Sequence, residues 1–327
     1  MSLQGPVPEA SMPEPPTKRQ KITDFARRAL LVLVFAAAAY AVFTQWPEVK
    51  STVFSMTWWQ IGGSLLLLVP GVLLGMLMWR VVLIGILDSD HVAVKQRSAL
   101  NNIYLIGQLG KYVPGSVWAF VLQMELGRKH GLGRAQVFVA SLISTGITVG
   151  ASLVVGALAL PALAEKEPEL QWLYVLLPVV LLAMHPRVVT YLVNLVLKVF
   201  RRQPLPTPIR ASTMILSFVL GVGMYAFFGL HLWLLASQEA GLGVVNLFFL
   251  TGALALGMTT GVMAFLLPAG IGAREAIVGL ALASMTTVGA ATALALLSRL
   301  LFTVADLLCV GVAFLMVKVK RPEAKSE

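Results

Sequence analysis

Apolar residues run along the chain in long blocks separated by short polar stretches. The blocks fall at about 29–46, 61–87, 99–126, 136–160, 172–189, 211–236, 244–285 and 290–317. A helix of about 18 or more apolar residues crosses the roughly 30 Å of bilayer hydrocarbon. The pattern therefore predicts an all-α integral membrane protein with eight hydrophobic segments. The third and seventh segments are interrupted near the middle, by Tyr112-Val113-Pro114-Gly115-Ser116 and by Leu267-Pro268-Ala269-Gly270-Ile271-Gly272. Proline removes a helical hydrogen bond, and broken backbone at membrane depth survives where it lines a cavity or is buried in protein. Each interruption predicts two helical arms around an unwound turn, with Pro114, Gly115 and Pro268 as structural hinges.

The charged residues between the blocks give an orientation. Lys18, Arg19, Lys21, Arg27 and Arg28 precede the first block, and Lys95 and Arg97 precede the third. Arg128, Lys129 and Arg134 follow the third, Arg187, Lys198, Arg201, Arg202 and Arg210 precede the sixth, and Lys318, Lys320, Arg321 and Lys325 close the chain. The remaining connections carry only Lys50 and Lys166, the latter among Glu165, Glu167 and Glu169. Positive residues stay in the cytoplasm, so both termini are expected there, in a plasma membrane. The third segment then enters and leaves on the cytoplasmic side as a re-entrant hairpin, and the seventh dips from the opposite face.

The result is an inverted repeat, three spans plus one re-entrant broken hairpin per half. The spacing agrees: 53 residues separate the second span from the hairpin proline in one half (61 to 114) and 57 in the other (211 to 268), and 22 residues lead from that proline to the next span in both (114 to 136, 268 to 290). Inverted repeats with matching broken helices point to a transporter whose site lies near the midplane. The expected organisation is a disordered cytoplasmic tail over 1–24, a membrane domain over 25–318 with halves at about 25–160 and 171–318, and a short tail over 319–327. Thr190, Asn194 and Lys198 make a polar stripe on the stretch 186–200, expected to lie in the cytoplasmic interface.

Composition narrows the class. Hydrophobic residues make up 58% and charged residues 12% of the chain, against about 25% charged in soluble domains. The net charge of +10 sits in short loops beside apolar spans, which fits anionic headgroups and topology better than nucleic acid. A single cysteine, Cys309, permits no intrachain disulfide and no cysteine-based metal cluster. No cleavage site clearly follows the first apolar run, so that helix is expected to be retained. Trp46, Trp58, Trp59 and Trp172 fall at outer span ends and read as interfacial anchors.

The chemistry concentrates at the two breaks. Each turn starts a new half-helix, at about Ser116 and about Gly272, whose amides and positive dipole end attract an anion such as phosphate. Before the first turn, Asn101, Tyr104, Gln108 and Lys111 follow at spacings of three, four and three, which puts them on one helical face toward a wet cavity. The alternative for Lys111 is an internal pair with Glu125. After the second turn come Arg274 and Glu275; a charge at that depth needs a partner or water, and Glu275 could instead serve the first helical turn. Arg299 and Asp306, seven apart on the last span, are placed to pair with Glu275 and Arg274 respectively. Arg80 can snorkel to the cytoplasmic surface, and His185 and His231 stand alone with no metal-ligand spacing. The candidate substrate-binding set is Lys111, Arg274, Ser116, Gln108, Asn101, Tyr104, Gly270, Gly272 and Glu275, with no metal and no cofactor.

Across Gly107-Gln108-Leu109-Gly110-Lys111-Tyr112-Val113-Pro114-Gly115-Ser116-Val117-Trp118 and Leu267-Pro268-Ala269-Gly270-Ile271-Gly272-Ala273-Arg274-Glu275-Ala276, the sequence resembles the transmembrane flippase-like region of the lysylphosphatidylglycerol synthases. The basic run before Pro204-Leu205-Pro206 is similar too, and the likeness extends from about residue 25 to 320, with Ala269 where family members often carry glycine. The resemblance implies a membrane lipid translocator, which in that family acts on aminoacylated phosphatidylglycerol. Bifunctional members add a soluble aminoacyltransferase domain after the last span; here about ten residues follow it, so a stand-alone member is expected.

The function expected is translocation of an anionic lipid, of phospholipid or polyprenyl-phosphate type, between leaflets. His-Glu-x-x-His, Gly-x-Ser-x-Gly and a phosphate-binding Gly-Lys-Ser/Thr loop are all missing from the sequence. The alternatives are a membrane-embedded glycosyl or acyl transferase, with Glu125 and Glu275 as its candidate bases, and an accessory subunit partnering a cell-envelope enzyme.

Overall fold

A computed structural model describes residues 43, 46–87, 91, 95–112, 117–161, 174–199, 204, 208–263 and 272–319. Every regular element among them is helical. In chain order they are α1 (Trp46–Ser55), α2 (Trp58–Ile86), α3 (Arg97–Gly107) continued by a 3-10 turn (Gln108–Tyr112), α4 (Trp118–Arg128) and α5 (Arg134–Gly156) with a 3-10 extension (Ala157–Ala159). There follow α6 (Leu176–Ala183), α7 (Pro186–Val199), α8 (Ala211–Leu235), the single turn α9 (Ser237–Ala240), α10 (Val244–Met263), α11 (Ala273–Ala283) and α12 (Val288–Val319).

Among the described residues, five helices are long and apolar enough to cross a membrane: Trp58–Ile86, Arg134–Ala159, Ala211–Leu235, Val244–Met263 and Val288–Leu315. The chain is thus a multi-pass helical membrane protein. α6 and α7 together are long enough for a sixth crossing but bend by 63° between them, at His185 and the Pro186 that opens α7. α7 carries Val189, Val193 and Leu197 buried on one face, with the Thr190 and Lys198 of its polar stripe partly or fully exposed. The first apolar block, 29–46, lies outside the described residues apart from Phe43 and Trp46. Trp46, Trp58 and Trp59 are exposed at the ends of their helices, as anchors at an interface would be; Trp172 lies outside the described residues.

The broken segments fold back on themselves. A β-carbon at Gly110 would lie 2.5 Å from the Ala119 amide nitrogen, so only glycine lets the turn press directly on the start of α4. Gly107 abuts Gln123 in the same antiparallel register. α3 and α4 have 11 residues each, about 16 Å of helix at 1.5 Å per residue, half a bilayer. Neither arm spans; together they make a hairpin.

Neighbours measure how far that hairpin reaches. Arg80 bonds Asn101 and Trp79 contacts Tyr104 at 5.8 Å, so α3 runs antiparallel to α2 and its turn arrives beside the middle of that span. The second hairpin pairs α10 with α11: Gly257 packs against Arg274 and Val278. α10 has 20 residues, long enough to span, yet it does not run beside α5 from end to end. Gly252 abuts Ala159 and Thr259 touches Ser152, so the two helices run antiparallel with the later turns of α10 beside the middle of α5. The first hairpin enters from the end of the bundle marked by Ile86 and Arg134, the second from the end marked by Ala159 and Leu235. The turn residues 113–116 and 264–271, which hold Pro114, Gly115, Ser116, Pro268 and Gly270, lie outside the described residues.

Between the hairpins, α2 and α8 pack antiparallel along their length, tied by Ser64 Oγ donating to the His231 carbonyl (3.2 Å). α1 lies on α12, where Glu48 Oε2 accepts the Gly289 N–H (3.1 Å) and caps the last span.

Candidate functional site

Where the hairpins converge there is a cavity of about 300 Å³, a volume at the small end of ligand pockets. It is ringed by the middles of four spans: Val72 and Gly75 of α2, Ser144, Thr145 and Thr148 of α5, Met224 and Tyr225 of α8, and Phe302 of α12. The first hairpin contributes Tyr104, Gln108, Lys111, Tyr112 and Gln123, the second Met258, Gly261, Val262 and Arg274.

One wall is charged. Lys111, Arg274 and Arg299 line it together with Asp306. Lys111 Nζ sits 2.6 Å from Asp306 Oδ2, and Tyr112 donates its hydroxyl to the same oxygen at 2.6 Å. The last span thereby grips the end of the first hairpin. Arg274 is 5% exposed; its guanidinium stacks 4.0 Å from the Phe302 ring centroid and Nη2 reaches Ser298 Oγ at 3.5 Å. Among the described residues no carboxylate comes within ion-pair distance of it. A guanidinium carries five N–H donors and its burial without a counter-ion is costly. Lys111 is paired with Asp306 and Arg299 faces Glu275, which leaves Arg274 as the cation of this wall without a carboxylate among the described residues; its planar fork has the donor geometry that a carboxylate or phosphate accepts.

Several sequence expectations need correction. Asn101 shares a helical face with Tyr104, Gln108 and Lys111 but does not line the cavity; it accepts a 2.8 Å hydrogen bond from Arg80 Nη1, nearer the membrane surface. That bond also holds the guanidinium of Arg80, which was expected only to snorkel. Lys111 pairs with Asp306, not with Glu125, because α4 turns Glu125 outward to Arg128 and Arg134 at 2.6 and 2.9 Å. The hydrogen bond from Arg128, seconded by Arg134, holds the Glu125 carboxyl down at about 2. Asp306 is therefore spoken for, and Arg274 takes Ser298 and Phe302 in its place.

Gly272 and Glu275 belong to the support of the site, not to its lining. Gly272 has φ +90°, which favours glycine, and its N–H donates to Glu275 Oε2 at 2.7 Å. The first amide of that half-helix is thus satisfied by its own side chain, as in a capping box, so the expected free amide at Gly272 is taken. Glu275 Oε1 faces Arg299 Nε at 3.6 Å, the pair expected from the sequence. Neither Glu125 nor Glu275, the bases nominated for a transferase, lines the cavity.

His231, to which no role was assigned, is wholly buried and joins three spans: Nδ1 lies 3.1 Å from the Ser64 carbonyl and Nε2 3.0 Å from Ser298 Oγ. It positions the serine that Arg274 touches. Its signal was available as a polar residue in mid-span, with Ser64 and Ser298 at matching depth. The opposite wall was also missed: Trp79 Nε1 donates to Ser141 Oγ (2.9 Å), which donates to Gln123 Oε1 (2.5 Å).

No protein-family model matches the chain, and the search of curated proteins finds no match.

Proposed function

We propose that this protein carries an anionic lipid, of phospholipid or polyprenyl-phosphate type, between the leaflets of the plasma membrane. The observation that carries the reading is that Lys111 and Arg274 line one cavity from two different helix pairs, α3–α4 and α10–α11. A phosphate there would satisfy the buried guanidinium while acyl chains stay in the bilayer.

An inverted repeat of three spans and one re-entrant hairpin per half, with cytoplasmic termini, is part of this proposal. The packing supports it. If α2, α3, α4 and α5 correspond to α8, α10, α11 and α12, each contact finds its counterpart: α3 on α12 with α10 on α5, α4 on α5 with α11 on α12, α2 on α12 with α8 on α5. Arg97, Arg128, Lys129, Arg134 and Arg210 gather at the end from which the first hairpin enters, the end expected to face the cytoplasm. Rocking of the halves about the α2–α8 seam would open the cavity to one leaflet at a time. Membership in the flippase-like family of the lysylphosphatidylglycerol synthases stays a proposal carried by the two hairpin motifs.

The test is lipid translocation in reconstituted vesicles by the parent, Lys111→Ala and Arg274→Ala, followed with fluorescent anionic lipids and a membrane-impermeant quencher. Both variants are expected to slow transport. Parental rates in both would reject the assignment.

A further inference from the structure

The wall facing the cations is neutral and rich in hydrogen-bonding groups. On α5, Ser141, Ser144, Thr145 and Thr148 follow at i, i+3, i+4 and i+7, one face of the helix. Thr145 and Thr148 donate to the carbonyls of Ser141 and Ser144 at 2.9 Å each, and a hydroxyl that donates still offers acceptor lone pairs. Ser144 is 5% exposed and its hydroxyl has no partner among the described residues. Burying a hydroxyl without a partner is unfavourable, so its place among the cavity-lining residues points to a ligand that pairs with it. One turn away on the same face, the Trp79–Ser141–Gln123 chain fixes the Gln123 carboxamide. The lining residues contributed by α4 and α5 include no acid and no base.

From this we infer that the headgroup is a phosphodiester bearing an uncharged polyhydroxylated substituent, such as glycerol, inositol or a sugar, with the phosphate on Arg274 and the hydroxyls on Ser144, Thr148 and Gln123. The inference rests on the lipid-carrier reading and narrows it. A bare phosphate would leave this wall unused. A cationic aminoacyl substituent would sit against it without a carboxylate, at a desolvation cost that neutral hydroxyls do not repay; Asp306 is available only by stripping it from Lys111 and Tyr112.

The experiment measures equilibrium binding of short-chain phosphatidylinositol, phosphatidylglycerol, phosphatidic acid and lysyl-phosphatidylglycerol to the full-length protein purified in detergent. The comparison covers the parent, the pair Ser144→Ala with Thr148→Val, and Arg274→Gln. The two polyol lipids should bind about tenfold tighter than the other two, the scale of a couple of neutral hydrogen bonds. The α5 pair should erase that preference while binding of phosphatidic acid persists, which also reports an intact fold. Equal affinity for phosphatidic acid, tightest binding of the aminoacyl lipid, or an unchanged preference in the α5 pair overturns the inference. Arg274→Gln should weaken all four lipids alike; if it weakens none, the carrier reading itself fails.

Discussion

The two hairpins bring a cation to the same cavity by different means. In the first, two short arms close on a 3-10 turn, and Lys111, with a side chain 33% exposed, is already paired with Asp306. In the second, a 20-residue arm packs against an 11-residue one, and Arg274 is buried against Phe302 with no carboxylate within ion-pair distance among the described residues. Lysine is a flexible point charge whose partner can be exchanged; arginine here is a fixed fork awaiting one. On the proposed reading the difference divides the labour: Arg274 would anchor the anion, while Lys111, kept in place by Asp306 and Tyr112, would add its charge to the field at the site.

The largest effects should fall on Arg274. Arg274→Leu removes a buried cation and is expected to cut translocation by about a hundredfold, the scale of charge-assisted hydrogen bonds, while the thermal midpoint holds or rises. A clear fall in the midpoint would mean that the guanidinium is internally compensated. Lys111→Ala should behave in the opposite sense. It leaves Asp306 buried with only Tyr112, at a cost of about 1–3 kcal/mol in stability, and slows transport about tenfold. Adding Asp306→Ala should return much of that stability; simple additivity in the double-mutant cycle would show that the two residues are not coupled.

How much of this was written in the sequence differs between helices and partners. The span from Ala211 was legible to within a residue at its end, because an apolar block bounded by Arg210 and a polar loop has one way to sit in a bilayer. The proline–glycine interruptions fall between paired helices in both segments, and Lys111 and Arg274, beside those interruptions, line the cavity. Partner choice was not legible. Asp306 and Arg274 are both mid-depth, but which cation meets Asp306 depends on the rotation of α12 against α3 and α11, and spacing along one helix does not carry that angle. Asn101 failed for a related reason: helical periodicity fixes a face but not where along it a cavity ends. The hydroxyl face of α5 is a pattern that does not by itself mark a site, since serine and threonine in a span also satisfy themselves on the helix backbone.

Backbone substitutions compare the hairpins at their closest points. Gly110→Ala would drive a methyl group into the backbone of Trp118 and Ala119, which cannot swing aside as a side chain does, and should cost about 1–3 kcal/mol by overpacking. Gly272→Ala meets a backbone angle of +90° and should cost about 1–2 kcal/mol, with the helix beyond it intact. Denaturant unfolding in mixed micelles should rank Gly110 at or above Gly272. The reverse order would mean that the first hairpin is the more plastic of the two.

The smallest effect belongs at the mouth of the first hairpin. Glu125 joins α4 to α5 through Arg128 and Arg134 on an exposed surface, where solvent screens such pairs strongly. Its carboxyl is held below the usual range, at about 2, chiefly by the hydrogen bond from Arg128. A group depressed in the folded state contributes its stability above the unfolded carboxylate value and loses it as pH falls through the folded one, so this cluster stays constant from pH 5 to 8. Glu125→Gln should therefore transport at the parental rate across that window, with no change in pH profile. A pH-dependent loss in this variant, larger than that of Lys111→Ala, would move the functional carboxylate from the cavity to the mouth of the first hairpin and reverse the roles given to the two ends of that hairpin.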